Sequence, residues 1–360
     1  MTLSALSTPS VLIDAGALER NLRGMQQVCD TAGIELWPHI KTHKLAPVLR
    51  RQLDLGAAGA TCAKLGEAEA MLPSGVKRIF VANSLVDQRH APRLRYLAAH
   101  LDELIVAVTS EPQCEALESL LTAAELRLPV MMAVDTGLGR EGARNPDTAS
   151  KLAARIRRSP RFRLTGIYTH EGHAYQVKSR DDAEKLADRV HLQLQEYAEA
   201  VGGNLPIWPG CSVTAALMAG RPGVKAIRPG SYTFGDLFLA ESTGVTAPAD
   251  TALSVLATVV DCPEKNLALI DAGSKVFSND RTPEGLAARC VEQPDLVVTR
   301  LSEEHGFLTG SGVESLKPGD RLRFIPAHVC PVVNLASTVR YVRGQDVLAT
   351  WTVDARGRSD

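Results

Sequence analysis

The 360-residue sequence has few aromatic residues, no excess of charge of either sign and no long apolar run. Phe, Trp and Tyr make up 4% of the residues, and 40 Lys and Arg nearly balance 41 Asp and Glu. Such a composition offers no electrostatic or stacking basis for binding nucleic acid or an anionic membrane. No run reaches the roughly 20 apolar residues of a membrane span, and no signal peptide opens the chain. We therefore expect a cytoplasmic protein with neither nucleic-acid nor membrane partners.

Disulfide bonds are also unexpected, because the seven cysteines are odd in number and form no C-x-x-C pair. This pattern favours reduced thiols, most of them serving as small buried side chains. Cys330 is the exception, since it belongs to a candidate metal motif.

Short apolar runs alternate with helix-like stretches between about residue 34 and residue 240. In the helix-like stretches, apolar residues recur every three or four positions. About eight strand–helix units within about 200 residues predict a parallel sheet with crossover helices, closed as a (β/α)8 barrel. A doubly wound open sheet is the alternative.

The pattern changes after residue 250, where strand-like segments are separated by Gly, Pro, Asn and Asp. This pattern predicts a separate all-β domain, and the apolar segment that begins near residue 9 predicts a strand that pairs with it. The expected organisation is a TIM-like barrel over 15–240 and a C-terminal β domain formed by 241–360 together with 1–14.

Polar and reactive side chains follow five of the predicted barrel strands. Active sites of such barrels lie at the C-terminal ends of the strands, so we expect these side chains to share one rim. They are His39, Lys41, His43 and Lys44 after the first strand, Asp135 and Arg140 after the fifth, Tyr168, His170, Glu171 and His173 after the sixth, Gly210, Ser212 and Thr214 after the seventh, and Arg228, Gly230, Ser231 and Tyr232 after the eighth. Lys44 is most simply a solvated residue at a helix start, and GLGREG is alternatively only a turn that needs glycine for a positive φ.

The last two strand ends, GCSVT and RPGSY, expose backbone N–H groups among small and hydroxyl residues, which suits a phosphate. Lys41 follows the strand that neighbours them in a closed barrel, and its amine can bond an aldehyde. An aldehyde and a phosphate in one ligand indicate pyridoxal 5'-phosphate (PLP).

A family resemblance enters with the motif P-H-x-K-T-H-K at 38–44. Because of this motif, the chain resembles the D-serine dehydratase and D-threonine aldolase group of PLP enzymes, which have the alanine-racemase fold type. Further motifs that carry the resemblance are DTGLGREG, YTHEGH, RPGSYTFGD, EEHG and the tail H-V-C-P followed by N-L. The resemblance covers nearly the whole chain and implies a homodimer. It implies that Lys41 bonds the cofactor, that Arg140 lies near its phenolic oxygen and that Tyr168, His170 or Arg228 lies near its ring. The implied phosphate residues are Ser212, Thr214, Gly230 and Ser231, with Gly210 in the same loop.

His328 and Cys330 form a candidate metal site. In an extended strand residues i and i+2 point to the same side, so both side chains could bind one ion. Imidazole and thiolate together favour Zn²⁺, with Mn²⁺ or Mg²⁺ as alternatives. A buried cysteine beside a histidine, with no metal, is the other interpretation.

The predicted activity is removal of water from a small D-3-hydroxy amino acid to give a 2-oxo acid and ammonia. Lys41 would take the α-proton, and the metal would make the 3-hydroxyl a better leaving group. By the resemblance, Cys330 favours this β-elimination, because the aldolases carry Asp at that position. The alternative is retro-aldol cleavage to glycine and an aldehyde, with His43 or His173 as base. A racemase and a non-catalytic PLP carrier are weaker alternatives.

Overall fold

The computed structural model describes every residue from Met1 to Asp360. Its strands are β1 (Ser10–Asp14), β2 (Glu35–Leu36), β3 (Ala60–Cys62), β4 (Arg78–Val81), β5 (Glu103–Val108), β6 (Leu128–Ala133), β7 (Phe162–Tyr168), β8 (Ile207–Trp208), β9 (Ala226–Ile227), β10 (Leu253–Glu264), β11 (Leu267–Ile270), β12 (Ala288–Cys290), β13 (Val297–Leu301), β14 (Gly306–Thr309), β15 (Arg321–Pro326), β16 (Thr338–Arg343) and β17 (Asp346–Thr352). Its α-helices are α1 (Ala15–Ala32), α2 (Ala46–Asp54), α3 (Leu65–Met71), α4 (Ala91–His100), α5 (Glu111–Ala123), α6 (Pro146–Arg158), α7 (Arg180–Ala200), α8 (Ala215–Met218), α9 (Ser274–Phe277) and α10 (Val329–Leu335).

The chain divides into two compact units, each built from separate segments. The barrel unit comprises Arg23–Lys41, Ala46–Gly230 and Arg358–Asp360, and the β unit comprises Met1–Leu22, Thr42–Leu45 and Ser231–Gly357. The sequence-based domain limits, 15–240 and 241–360 with 1–14, stay a prediction.

Eight parallel strands form the barrel unit. Strands β3 to β8 pair in chain order, and β2 pairs with β9. Parallel bridges from His39 to Thr61 and from Ile207 to Val224 connect the two groups into one ring. The predicted (β/α)8 barrel is therefore confirmed, and the open-sheet alternative is wrong.

Large aromatic side chains fill the inside of the barrel. The rings of Trp37 and Trp208 lie 4.7 Å apart, and Phe80 packs edge-on against Tyr168. Gly59 makes room for this core, because a Cβ there would lie 2.7 Å from the Trp37 ring and 2.6 Å from a backbone oxygen. A closed, packed interior leaves the polar side chains to the strand ends.

The barrel helices carry local signals that set their bounds. Helix α6 begins at a capping box in which the side chains of Asn145 and Thr148 each bond the other's backbone N–H. Pro146 occupies the first turn, where its missing N–H costs nothing. Three arginines in the last turn (Arg155, Arg157 and Arg158) complement the negative end of the helix dipole.

The β unit contains a nine-stranded sheet in the order β11-β14-β13-β12-β15-β10-β1-β16-β17. A further pairing of β10 with β11 closes six of these strands into a ring. Strand β1 pairs antiparallel with β10 and parallel with β16, so the N-terminal strand joins this sheet as the sequence predicted. Neither unit contains a helix with the length and apolarity that crossing a membrane requires.

Candidate active site

Lys41 lies in a short 3-10 turn, Ile40–Thr42, that follows β2. Its backbone N–H donates to Nδ1 of His39 at 3.4 Å. Desolvation lowers the pKa of His39 well below its usual value, and the nearby groups Lys41, Arg228, His170 and Arg140 lower it further. The structure therefore brings together ionisable groups from the ends of β2, β6, β7 and β9.

Arg228 is buried at the centre of this group, with 3% of its surface exposed. Its Nη2 donates to the backbone oxygen of Thr169 at 2.5 Å, and its guanidinium lies 5.0 Å from the Tyr168 ring centre. A Cβ on Gly210 would lie 2.5 Å from that nitrogen, so a larger residue there would displace the guanidinium. Burial lowers the pKa of Arg228 to about 10, and the guanidinium stays charged at neutral pH.

His170 is held as a neutral imidazole. Its Nδ1 donates to the backbone oxygen of Gly210, which leaves Nε2 as the acceptor nitrogen. Desolvation and the charge of Lys41 lower the pKa of His170 to about 3, although the bond to Gly210 opposes this shift. The ring thus presents an unprotonated nitrogen at neutral pH.

Tyr168 and Arg140 complete this side of the barrel rim. The Tyr168 hydroxyl is buried without a hydrogen-bond partner, and its pKa is raised by burial and by Glu141. Arg140 is exposed and donates to Glu141 at 3.3 Å. It lies in the GLGREG loop, where Gly137 and Gly139 have the positive φ that the sequence predicted for a turn.

The predicted phosphate residues lie in two hydrogen-bonded loops. The N–H of Gly210 and the hydroxyl of Thr214 both donate to the buried carboxylate of Glu171, at 3.2 and 2.7 Å. The N–H of Gly230 donates to Oγ of Ser212 at 3.2 Å. No specific role was predicted for Glu171, which follows the sixth predicted strand in the YTHEGH motif; in the structure its carboxylate fixes the loop after β8.

Ser231 belongs to the β unit, where its Oγ lies 3.9 Å from Sγ of Cys330. It opens the 3-10 turn Ser231–Thr233 and is buried. Its packing partner in the structure is thus a residue of the candidate metal motif.

The two histidines predicted as alternative bases differ in their surroundings. His43 is fully buried in the β unit, and its Nδ1 accepts the N–H of Leu45 at 3.1 Å. His173 lies in the 3-10 helix Gly172–Gln176, with its Nδ1 buried and without a partner. Desolvation lowers the pKa of His173, so its ring is available as a base at neutral pH.

The candidate metal pair is close, but the strand predicted for it is wrong. His328 directly precedes α10, and Cys330 lies in the first turn of that helix. The apolar run VCPVV suggests a strand, yet Pro331 is tolerated in a first helical turn, where its N–H would have no partner. The helix start still brings the imidazole and the thiol into hydrogen-bonding contact.

Two carboxylates that the sequence did not single out surround this pair. Oδ2 of Asp280 lies 2.6 Å from Nδ1 of His328, which leaves Nε2 for an ion. Buried Asp236 accepts the N–H of Leu239 and of Val329, and burial raises its pKa to about 6. Burial opposes protonation of His328, but Cys330 and these acidic neighbours outweigh it and raise the pKa to about 10. No group of three or more His, Cys, Asp or Glu side chains is arranged to hold a metal ion.

Known proteins match the chain over almost its full length. The model of the alanine racemase N-terminal domain matches residues 13–237, and that of the serine dehydratase domain matches residues 252–342. The chain belongs to the alanine racemase N-terminal domain family. The resemblance inferred from the 38–44 and 328–335 motifs is thereby confirmed.

Relatives of this alanine racemase family member include both dehydratases and aldolases. D-threo-3-hydroxyaspartate dehydratase of Delftia sp. (strain HT23) is 34% identical in an alignment 352 positions long that covers 91% of this chain and 92% of that protein. D-threonine aldolase from Filomicrobium marinum superposes with a TM-score of 0.92 at 28% identity, over 100% of this chain and 98% of that one. A cysteine-to-alanine variant of a D-threo-3-hydroxyaspartate dehydratase, in its metal-free form, superposes with a TM-score of 0.89 at 29% identity, over 98% of both chains.

The side chains of this family member fit PLP. Lys41 supplies an amine beside a buried, positively charged group that suits a phosphate-bearing aldehyde. The Tyr168 hydroxyl, buried without a partner, is a polar group that a ligand would satisfy. His328 and Cys330 supply the nitrogen and sulfur donors that Zn²⁺ prefers.

Proposed function

We propose that this chain is a PLP- and divalent-metal-dependent lyase that removes water from small D-3-hydroxy amino acids. Water then hydrolyses the resulting enamine to a 2-oxo acid and ammonia, and the enzyme acts as a homodimer. The observation that carries the proposal is the convergence of Lys41, Arg140, His170 and Arg228 around one imidazole, His39. The comparisons support it, because the relatives that align over the whole chain are lyases of such amino acids.

The residues of the barrel unit bind the cofactor and the substrate. The positive charges of Arg140 and Arg228 offset the negative charge of a phosphate and of a substrate carboxylate. Glu171 shapes the loop after β8, which we assign to the phosphate. Tyr168 and neutral His170 would lie beside the cofactor's ring.

Proton transfer is assigned to Lys41. Its Nζ would hold the cofactor through the aldehyde and would take the proton from the substrate Cα. PLP supplies the electron sink that delocalises the negative charge left at Cα. Lys41 is half-buried, so its amine is reached from the rim while its neighbours exclude much of the water.

The metal role is assigned to His328 and Cys330. Asp280 holds the imidazole through Nδ1, an arrangement typical of histidines that bind metals. An ion on this pair, most simply Zn²⁺, supplies Lewis acidity for the 3-hydroxyl. The metal-free form solved for a related dehydratase supports a metal in this group of proteins.

Dehydration is preferred to aldol cleavage because Cys330 stands where the resemblance places Asp in aldolases. The high structural similarity to a D-threonine aldolase keeps retro-aldol cleavage as the second candidate. In that reaction His173, whose Nδ1 has no partner, would be the base.

The deciding experiment supplies the purified protein with PLP, Zn²⁺ and D-threonine and identifies the carbon products. The expected products are 2-oxobutyrate and ammonia. Glycine and acetaldehyde would instead establish the aldolase. If D-threonine, D-serine and 3-hydroxy-D-aspartate all remain intact, the lyase proposal is wrong.

A further inference from the structure

The segment Thr42–Leu45, which belongs to the β unit, packs along helix α10. Oγ1 of Thr42 lies 3.3 Å from Sγ of Cys330, and Nζ of Lys44 donates to Oδ1 of Asn334 at 2.8 Å. Cys330 and Asn334 are four residues apart, so they lie on one face of α10, one turn from each other. Two contacts one turn apart fix both the position and the rotation of the helix.

Lys44 is constrained through its side chain and its backbone. Only 6% of its surface is exposed, and its Nζ also lies 3.4 Å from the backbone oxygen of Ala355. The N–H of Ala355 donates to the backbone oxygen of Lys44 at 3.2 Å, and the N–H of Gly357 donates to Oδ1 of Asn334. Lys44 has a φ of +52°, a conformation that a non-glycine residue keeps only where its surroundings determine it.

The orientation of α10 determines how Cys330 faces His328. His328 is the residue just before the helix, and its imidazole is held by Asp280 at 2.6 Å. Cys330 is the second residue of α10, so a rotation of the helix would move its thiol relative to the imidazole. Whatever fixes α10 therefore fixes the separation of the two metal donors.

We propose that Lys44 is a positioning residue for the metal site. By holding Asn334, it sets the rotation of α10 so that the Cys330 thiol and the His328 imidazole are preformed for one ion. This inference rests on the metal role in the proposed function and goes beyond it, because Lys44 itself binds neither metal nor substrate. It also changes the expectation from the sequence, in which Lys44 is a solvated residue at a helix start.

The test measures metal binding directly, on the protein carrying its cofactor. Competition with a chelating dye gives the dissociation constant for Zn²⁺, and the thiolate-to-metal absorption band of the Co²⁺-loaded protein reports on Cys330. Lys44→Met and Asn334→Leu should each weaken Zn²⁺ binding by about tenfold and diminish the band, as loss of a supporting contact does elsewhere. The double variant should be no weaker than either single one, since both remove the same contact.

Two further variants separate positioning from general stability. Asn334→Asp retains an acceptor for the Lys44 ammonium and should bind Zn²⁺ close to the wild-type affinity. Leu256→Ala removes a buried core side chain of the β unit, so it should lower the melting temperature with no change in Zn²⁺ affinity. If Lys44→Met does not fold, Asn334→Leu and Asn334→Asp decide the question.

The outcomes distinguish this inference from the metal role itself. If the wild type binds Co²⁺ through its thiolate and the Lys44 and Asn334 variants bind it equally well, only the positioning role is overturned. An equal loss of affinity in Leu256→Ala would overturn it too. If the wild type shows no thiolate band, the metal site is wrong and the role of Lys44 falls with it.

Discussion

The neutral state of His170 is a property of one side chain with consequences for stability. Its Nδ1 is committed to the Gly210 carbonyl, and its surroundings already hold Lys41, Arg140 and Arg228. A proton on this ring would add a fourth positive charge. The folded protein therefore resists protonation of His170 down to a pH of about 3, whereas an unfolded chain takes up that proton near pH 6.5.

The first prediction concerns acid stability. Because the unfolded state binds the extra proton, His170 lowers the free energy of unfolding as the pH falls from about 6.5 towards 3. Between pH 7 and pH 5 the wild type should lose about 2 kcal/mol more than His170→Asn, which has no titrating ring. Urea unfolding of the cofactor-free protein, followed by tryptophan fluorescence, measures this, since Trp37 and Trp208 lie in the barrel core.

The control for that experiment is His305→Asn, which replaces an exposed histidine. It should show the same pH dependence as the wild type. Equal losses in the wild type and in His170→Asn would mean that His170 is protonated alike in both states.

Individual residues were predictable where a local motif carried them. Lys41 and the pair His328 and Cys330 stand in short motifs, and GLGREG indicates its own turn. The partners of these residues were not predictable. Asp280 lies 48 positions from His328, and Asn334 lies 290 positions from Lys44, distances over which a sequence pattern indicates no pairing.

At the scale of elements, the ends of β7 and β8 are joined by one carboxylate. Glu171 follows β7, is fully buried and accepts from both Gly210 and Thr214 in the loop after β8. A carboxylate can accept from two donors with two equivalent oxygens, whereas an amide has only one oxygen to offer.

The second prediction is that Glu171→Gln weakens cofactor binding. One of the two donors loses its acceptor at a cost of roughly 1–3 kcal/mol, and the loop loses its fixed shape. We expect about a tenfold higher dissociation constant for PLP, measured by titration of the cofactor-free protein and followed by absorbance. Glu196→Gln, at an exposed position of α7, is the matched control and should bind PLP as the wild type does. Unchanged affinity in Glu171→Gln would exclude a role for this carboxylate in shaping the loop.

The elements themselves were largely predictable, with one informative error. All eight barrel strands appear where apolar runs are bounded by turn residues, as does the hairpin of β16 and β17. His328 and Cys330 were expected on an extended strand, whereas Cys330 and Pro331 lie at the start of helix α10. Only seven residues long, this helix depends on its packing rather than on propensity, and packing is not visible in a local pattern.

At the scale of the whole molecule, strand β1 supports the β unit from within. It lies between β10 and β16, and Leu12 and Ile13 are at most 1% exposed. Its removal would leave one edge of β10 and one edge of β16 without a partner and would take several buried side chains from the core. Each fully buried aliphatic side chain contributes about 1.5–3 kcal/mol, so the loss is comparable to the stability of a typical domain.

The third prediction is that deletion of residues 1–14 unfolds the β unit. Limited proteolysis should then cut within 231–357, a region that the full-length chain protects. Deletion of 358–360, which removes exposed residues of the barrel unit, should leave the cleavage pattern unchanged. Continued protease resistance after loss of β1 would show that the remaining eight strands suffice.

The position of β1 also has a consequence for synthesis on the ribosome. Its sheet partners, Leu253–Glu264 and Thr338–Arg343, emerge more than two hundred residues after it. Until then the apolar run Val11–Ile13 has no native neighbour and can pair with other nascent chains. A chaperone that recognises short apolar segments would therefore protect Val11–Ile13 during synthesis. The yield of folded protein in a cell would depend on how long that segment remains without its strand partners.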